Sequence, residues 1–273
     1  MCKVFKISRS SYYQWLFCKP SKWSLENKMI AQQVHLIYSQ SKQRYGSPKI
    51  TVELNEIGIK ASRPRVARIM RLEGLKSIVN KKYRVYTTDS KHTFPVAPNI
   101  LNREFNVYEP GKVWVSDITY IKLKRTWLYL TVVLDLFDRK VIGWAMSNGM
   151  TAEQTTLPAF AMAIGNRPFN EGLIFHSDRG VQYACKDFKD RLGNKKIIQS
   201  MSRKGNCWDN AVMESFFKNL KSETTYGSYE SELIARTTIF EYIECWYNRK
   251  RKHAALGYKS PEQYGKQLIK SAA

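Results

Sequence analysis

The chain reads as an α/β protein, a mixed five-stranded sheet flanked by helices and preceded by a small all-α domain. Two observations predict this. Apolar residues recur at helical spacing up to about residue 80, and at strand spacing from just beyond residue 110. After that switch the segments run strand, strand, strand, helix, strand, helix, strand, helix. Composition supports both: 273 residues with 43% apolar and 13% aromatic content supply a core for one large or two modest domains.

Residues 1–23 form a helical fragment whose Val4, Phe5, Ile7, Tyr12 and Trp15 are hard to bury in so short a segment. The all-α domain is expected over 24–80. Its first helix, 24–41, carries Met29, Ile30, Val34, Ile37 and Tyr38 at helical spacing, and Tyr45-Gly46-Ser47-Pro48 turns the chain. A second helix, 48–57, offers Ile50, Leu54 and Ile57 before Gly58. Ser62 is a natural N-cap for a third, with Pro64 in its first turn and Val66, Ile69, Met70 and Leu72 on its buried side before Gly74. Two short helices around a glycine-containing turn make a helix-turn-helix. Arg63, Arg65, Arg68 and Arg71 are the charged positions of its last helix, flanked by Lys49 and Lys76, and such side chains reach phosphates and guanine edges.

Residues 81–108, with Pro95 and Pro98 and little periodicity, read as a linker. The sheet domain follows over 109–230. Val113–Leu123 and Trp127–Phe137 are β-branched and aromatic runs separated by Lys124-Arg125-Thr126, and Lys140–Met146 completes an antiparallel meander. A helix over Thr151–Gly165, a strand over Leu173–His176, a helix over Lys186–Gly193, a strand over Ile197–Met201 and a helix opening after Asp209 finish the pattern. That order is the order of a ribonuclease-H-like domain. Residues 231–273 are a helical, basic extension.

The charge balance narrows the partner. With 45 Lys and Arg against 23 Asp and Glu, the formal net charge is +22, which favours a polyanion, and double-stranded DNA is the expected one. The five cysteines are scattered with no Cys-x-x-Cys pair, and no two of the four histidines stand three to five residues apart, so neither a disulfide framework nor zinc is expected. No apolar run approaches the roughly 20 residues that span a bilayer, and no signal-like core follows Met1. A cytoplasmic, nucleoid-associated protein with no membrane partner is expected.

Three carboxylates stand out. Asp117 sits in Trp114-Val115-Ser116-Asp117-Ile118-Thr119-Tyr120, Asp178 in His176-Ser177-Asp178-Arg179-Gly180, and Glu214 in the run Cys207-Trp208-Asp209-Asn210 to Phe217, with 60 and 35 residues between them. Asp117 is a carboxylate inside an otherwise apolar strand, where an unpaired charge is costly. Asp178 follows the fourth strand, and the helix opening after Asp209 brings Glu214. Hard oxygen ligands suit two Mg²⁺ ions, with Mn²⁺ as a substitute, placed against one phosphodiester. Against this, an isolated aspartate is more often a turn former, a role open to Asp135 and Asp138, and Asp209 reads as the N-cap of the Glu214 helix. Lys218 and Lys221 share the face of Glu214 and are placed to hold phosphates. His176, two residues before Asp178, either meets the substrate or is a satisfied core histidine. Arg249-Lys250-Arg251-Lys252, after a helix bearing Ile239, Ile243 and Trp246, reads as a DNA clamp through Arg249 and Arg251, or as cations suiting a helix C-terminus.

The three contexts and the 35-residue gap resemble the DDE motif of the retroviral-integrase superfamily. Tyr45-Gly46-Ser47-Pro48-Lys49-Ile50, Val96-Ala97-Pro98-Asn99, Leu101-Asn102-Arg103, Gly205-Asn206-Cys207-Trp208-Asp209-Asn210, Tyr247-Asn248 to His253, Leu256-Gly257-Tyr258 and Ser260-Pro261 narrow the resemblance to bacterial insertion-sequence transposases, as their second-frame (OrfB-type) product. The resemblance implies an integrase-type ribonuclease-H-like catalytic core and magnesium-dependent cleavage of element ends. It also implies joining of 3′ hydroxyl ends to DNA with no covalent protein–DNA intermediate, metal binding by Asp117, Asp178 and Glu214, and end-DNA contact by Lys221. It further implies a homo-oligomer on DNA, and fusion with or binding to a first-frame product. Retroviral relatives carry a zinc module that this sequence lacks. The competing reading is a catalytically idle DNA-binding regulator, against which the intact triad argues.

Overall fold

A computed structural model describes residues 2–78, 94–224 and 227–272. The chain divides into two compact units, Met1–Ile78 and Val79–Ala273.

In the first unit, α1 (Arg9–Leu16) buries none of its residues, and Trp15 and Phe17 are each 74% exposed, as expected for so short an apolar segment. Three further helices, α2 (Lys22–Gln40), α3 (Ser47–Glu56) and α4 (Arg63–Leu72), pack on one another. Their core is Ile30, Val34, Ile37, Tyr38, Ile50, Leu54, Val66, Ile69 and Met70. Ser62 caps α4 by accepting from the Arg65 amide, and Pro64 lies in the first turn, where a missing N–H costs nothing. Met29, Ile57 and Leu72, expected in the core, are instead exposed: Met29 and Leu72 lie about a third of a turn off the buried stripes of α2 and α4, and Ile57 follows the last residue of α3.

The second unit is built on a sheet of order β3-β2-β1-β4-β5, with β1 (Val113–Lys122), β2 (Trp127–Asp135) and β3 (Val141–Ser147) antiparallel, and β4 (Ile174–Ser177) and β5 (Ile198–Met201) parallel to β1. This is the ribonuclease-H-like mixed sheet. One face buries Trp114, Val133, Ile142 and Phe175 beneath α5 (Thr156–Asn166) and α7 (Lys186–Gly193), which contribute Ala159, Phe160, Ala163, Phe188 and Leu192. α5 lies so close to β3 that a Cβ on Gly143 would sit 2.2 Å from the Ala159 carbonyl oxygen. Alternate residues Val115, Val132 and Leu134 point to the other face and are fully buried, and α8 (Ala211–Thr224) packs on β1.

Three local expectations change. The helix predicted from Thr151 begins at Thr156, because residues 151–155 form turns in which the Thr155 hydroxyl donates to the Thr151 carbonyl. A four-residue helix, α6 (Val181–Ala184), is too short to leave a periodicity. Of the linker expected over 81–108, residues 81–93 lie outside the described residues, and residues 99–103 bind the sheet: the Ile100 and Leu101 amides donate to Ser200 Oγ at 2.9 and 3.2 Å, and Leu101 is buried. After α8 come α9 (Glu232–Phe240), π-helical turns over Glu241–Tyr247, and α10 (Pro261–Ala272). Among the described residues no helix is long and apolar enough to cross a membrane.

Candidate active site

Asp117 lies in the middle of β1, where the β-branched and aromatic run of the sequence continues on both sides of it. The parallel pairing of β1 with β4 runs Val113 to Ile174, Trp114 to Phe175 and Val115 to His176. The pairing ends two residues short of Asp117 and Asp178, and Asp178, just past the carboxyl end of β4, is near enough for its charge to act on Asp117. Glu214 stands on the first turn of α8, the helix packed on β1. Two bonds fix this corner. Asn210 Nδ2, in the 3-10 turn Cys207–Asn210 that leads into α8, donates to the Ser116 carbonyl at 3.2 Å, and the Tyr183 and Ser116 hydroxyls meet at 2.8 Å beneath it.

The three acids lie in one another's field. Burial drives the Asp117 carboxyl well above the usual carboxylate range; the charges of Asp178 and then Glu214 push it further, while the Ile118 amide and Lys221 act the other way. Lys221, two turns beyond Glu214, is half-buried and is the cation that acts on Asp117; burial lowers its own pKa and Asp117 opposes that shift. Lys218 is exposed. Asp178 Oδ1 accepts from the Gly180 amide at 2.9 Å, and Gln182, one turn on, donates to the Met150 carbonyl at 2.9 Å. A Cβ on Gly180 would meet both Asp178 Oδ1 and Gln182 Oε1 near 3 Å.

The donor chemistry fits a hard divalent cation: carboxylate oxygens, like-charged, partly desolvated and mutually repelling. Among the described residues no group of three or more His, Cys, Asp or Glu is placed to hold a metal ion. That is compatible with magnesium, which keeps several waters and takes one or two carboxylates together with substrate phosphate oxygens.

Other singled-out residues have defined places. His176 is fully buried, with Nδ1 on Ser200 Oγ at 2.9 Å and Nε2 on Ser202 Oγ at 3.2 Å, and burial pushes its pKa down to about 4; it is a neutral, satisfied core histidine. Asp135 and Asp138 are turn formers: Asp135 accepts from the Gly111 and Phe137 amides, Asp138 from that of Lys140, and both face Arg167. Asp209 is not the N-cap of α8. Its carboxylate turns back to Arg203, Arg103 and Asn99, and the hydrogen bonds from Arg203 hold it far below the usual range. Arg251, expected at DNA, is 6% exposed and closed on Glu223, and Lys252 is also buried, while Arg249 stays exposed. Within the first unit Arg63, Arg68 and Arg71 are exposed, with Arg68 stacked on Trp23 at 4.5 Å, and Arg65 is tied to Glu26 and Asn27 at 2.8 Å.

Sequence comparison gives this geometry a family. Residues 107–207 and 195–261 match two integrase core domain models, and residues 24–83 match a helix-turn-helix-like domain model. Transposase InsF for insertion sequence IS3A of Escherichia coli K12 is 39% identical, over 97% of this chain and 92% of that protein. This chain belongs to the IS3 family of insertion-sequence transposases. A 31 kDa protein of insertion element IS600 from Shigella sonnei is 38% identical over the whole length of both chains. Among solved structures, a simian T-cell lymphotropic virus intasome aligns with TM-score 0.49 and 15% identity over 85% of this chain and 73% of its own, and the HTLV-2 integrase catalytic core with magnesium with TM-score 0.43 and 19% identity over 58% and 98%. As an IS3-family transposase with an integrase core, the protein acts in DNA transposition.

Proposed function

We propose that the transposase cleaves the ends of its insertion sequence and joins the resulting 3′ hydroxyls to DNA at one site made by Asp117, Asp178 and Glu214. The observation that carries this reading is convergence on Asp117 in β1: burial chiefly raises its carboxyl, and the charges of Asp178 at the end of β4 and then Glu214 on α8 raise it further, a repulsion that divalent cations relieve. The three carboxylates would hold two Mg²⁺ ions, or Mn²⁺ in their place, which when bound activate the attacking oxygen and stabilise the leaving one.

The chain's own residues then do the rest. Asp117, in β1, and Asp178, just past β4, would keep the cations in one place while the attacking oxygen changes. In the first step water attacks phosphorus and the bond to the 3′ oxygen breaks, leaving a 3′ hydroxyl. In the second that hydroxyl attacks a target phosphorus and displaces a target 3′ oxygen. Lys221 neutralises phosphate charge beside Asp117, and exposed Lys218 extends that cationic face along the helix. Arg63, Arg68 and Arg71 bind the element ends, and Arg249 contacts backbone phosphate. The enzyme works as a homo-oligomer on DNA with the first-frame product attached or bound, in the cytoplasm at the nucleoid.

The test is nicking and joining on the element's own ends. Asp117→Asn, Asp178→Asn and Glu214→Gln should each abolish both reactions while DNA affinity and folding persist. Near wild-type turnover by any one of them in Mg²⁺ would remove that residue from the site, and a wild-type chain that, with the first-frame product supplied, binds ends without cutting them would be an idle regulator.

A further inference from the structure

Asp209 is fully buried five residues before Glu214, and its carboxylate is surrounded by donors from the nearby Arg203 and from the distant stretch 99–103. Oδ2 accepts from the Arg203 amide at 2.9 Å, from Arg203 Nε at 2.8 Å and from Asn99 Nδ2 at 3.0 Å. Oδ1 accepts from Arg203 Nη2 at 2.7 Å and Arg103 Nε at 2.8 Å. Asn99 in turn closes its own loop by accepting from the Asn102 amide at 2.9 Å, and the neighbouring Ile100 and Leu101 amides are held by Ser200 Oγ. One carboxylate therefore joins the strap 99–103 to the 3-10 turn from which α8 departs. The next residue, Asn210, is the one that grips the Ser116 carbonyl beside Asp117.

We propose that Asp209 is a positioning residue for the metal site: together with Arg103 and Arg203 it fixes where α8 starts, and so sets the distance of Glu214 from Asp117 and Asp178. The proposal rests on Glu214 being a metal ligand. Such a hub outside the site suits a helix whose key acid is exposed and lies on its first turn, because a helix end otherwise frays. The hub is charge-assisted throughout, so neutralising its centre weakens five bonds while keeping the shape of the side chain.

The experiment uses the full chain. Asp209→Asn, Arg103→Gln and Arg203→Gln are compared with wild type and with Glu214→Gln. Three quantities are read on the folded fraction: Mn²⁺ binding by water-proton relaxation, the Mg²⁺ concentration for half-maximal nicking, and affinity for end DNA. Asp209→Asn should bind Mn²⁺ about tenfold more weakly and need about tenfold more Mg²⁺, with DNA affinity unchanged. Each half-exposed arginine replacement should shift the Mg²⁺ requirement severalfold, and these two decide the matter if Asp209→Asn does not fold. A loss of active fraction with Mn²⁺ affinity and Mg²⁺ requirement within twofold of wild type would overturn the positioning role and leave Asp209 a stability residue. If Glu214→Gln itself keeps wild-type nicking and metal affinity, the site assignment falls first, an outcome separate from a silent Asp209→Asn beside an inactive Glu214→Gln.

Discussion

Arg251 donates to Glu223 through both Nε and Nη2, at 3.0 and 2.7 Å to Oε1, with both side chains 7% exposed. Tyr242 Oη and Trp246 Nε1 donate to the same carboxylate at 3.3 and 3.2 Å. Glu223 is on the last turns of α8, so the C-terminal extension holds the far end of the helix that carries Glu214.

Because the pair is buried, Arg251→Ala should destabilise the second unit by about 3–5 kcal/mol, leaving Glu223 charged and uncompensated. Arg249→Ala, at an exposed position, should stay within about 0.5 kcal/mol of wild type. Urea unfolding of both variants checks this. An Arg251→Ala protein as stable as wild type would return Arg251 to the DNA-facing surface.

The exposed arginines of α4 should behave differently from the tied one. Arg68→Ala or Arg71→Ala should weaken binding to element ends and lower the slope of log K against log salt by about 0.9 for each phosphate that is no longer neutralised. Arg65→Ala removes bonds to Glu26 and Asn27 and should lower stability instead. Fluorescence anisotropy on the full chain between about 50 and 200 mM salt reads the slope; unchanged slopes for both Arg68 and Arg71 would take α4 off the phosphates.

His176 gives a pH dependence of known sign. Its folded pKa, down to about 4, lies below the ordinary value of 6.5, so the unfolded chain binds the extra proton first and stability is lost as pH falls from about 6.5 towards 4. Asp135, pushed up to about 6 chiefly by burial, has the opposite slope between its ordinary value of 3.8 and about 6. The measurement is therefore a difference. The stability gap between wild type and His176→Gln should shrink on acidification from pH 7 to pH 5, and a constant gap would mean that the ring is not held neutral.

Gly143→Ala should cost about 1–3 kcal/mol or more, since its Cβ would meet the Ala159 carbonyl oxygen at 2.2 Å and the Ala163 nitrogen at 2.7 Å, both backbone of α5. Thermal unfolding checks it, and a neutral effect would show that α5 can slide away from β3.

The sheet was legible because its signals are local. β1 to β3 are β-branched runs bounded by short polar turns, and Asp117 declared itself by interrupting one of them. What sequence reading missed depends on partners far along the chain. Asp209 has the local look of an N-cap, and only the fold brings in Asn99 and Arg103, more than a hundred positions upstream. Arg251 sits in a basic run that looks solvated until Glu223, 28 residues earlier, is placed beneath it. Asn210 and Gln182, which brace the turns around Glu214 and Asp178, carry no sequence signal, because an amide side chain bonded to a distant carbonyl has no characteristic spacing.

Whether Asp117 is a ligand to the catalytic metal is measured most directly by strand joining by Asp117→Cys on pre-nicked element ends in Mg²⁺ and then in Mn²⁺. A thiolate is a poor ligand for Mg²⁺ and a better one for the softer Mn²⁺. Asp117→Cys should show no joining in Mg²⁺ and partial recovery in Mn²⁺, with Asp117→Ala inactive in both. Joining by Asp117→Cys in Mg²⁺ at a rate near that of wild type would contradict metal ligation by Asp117.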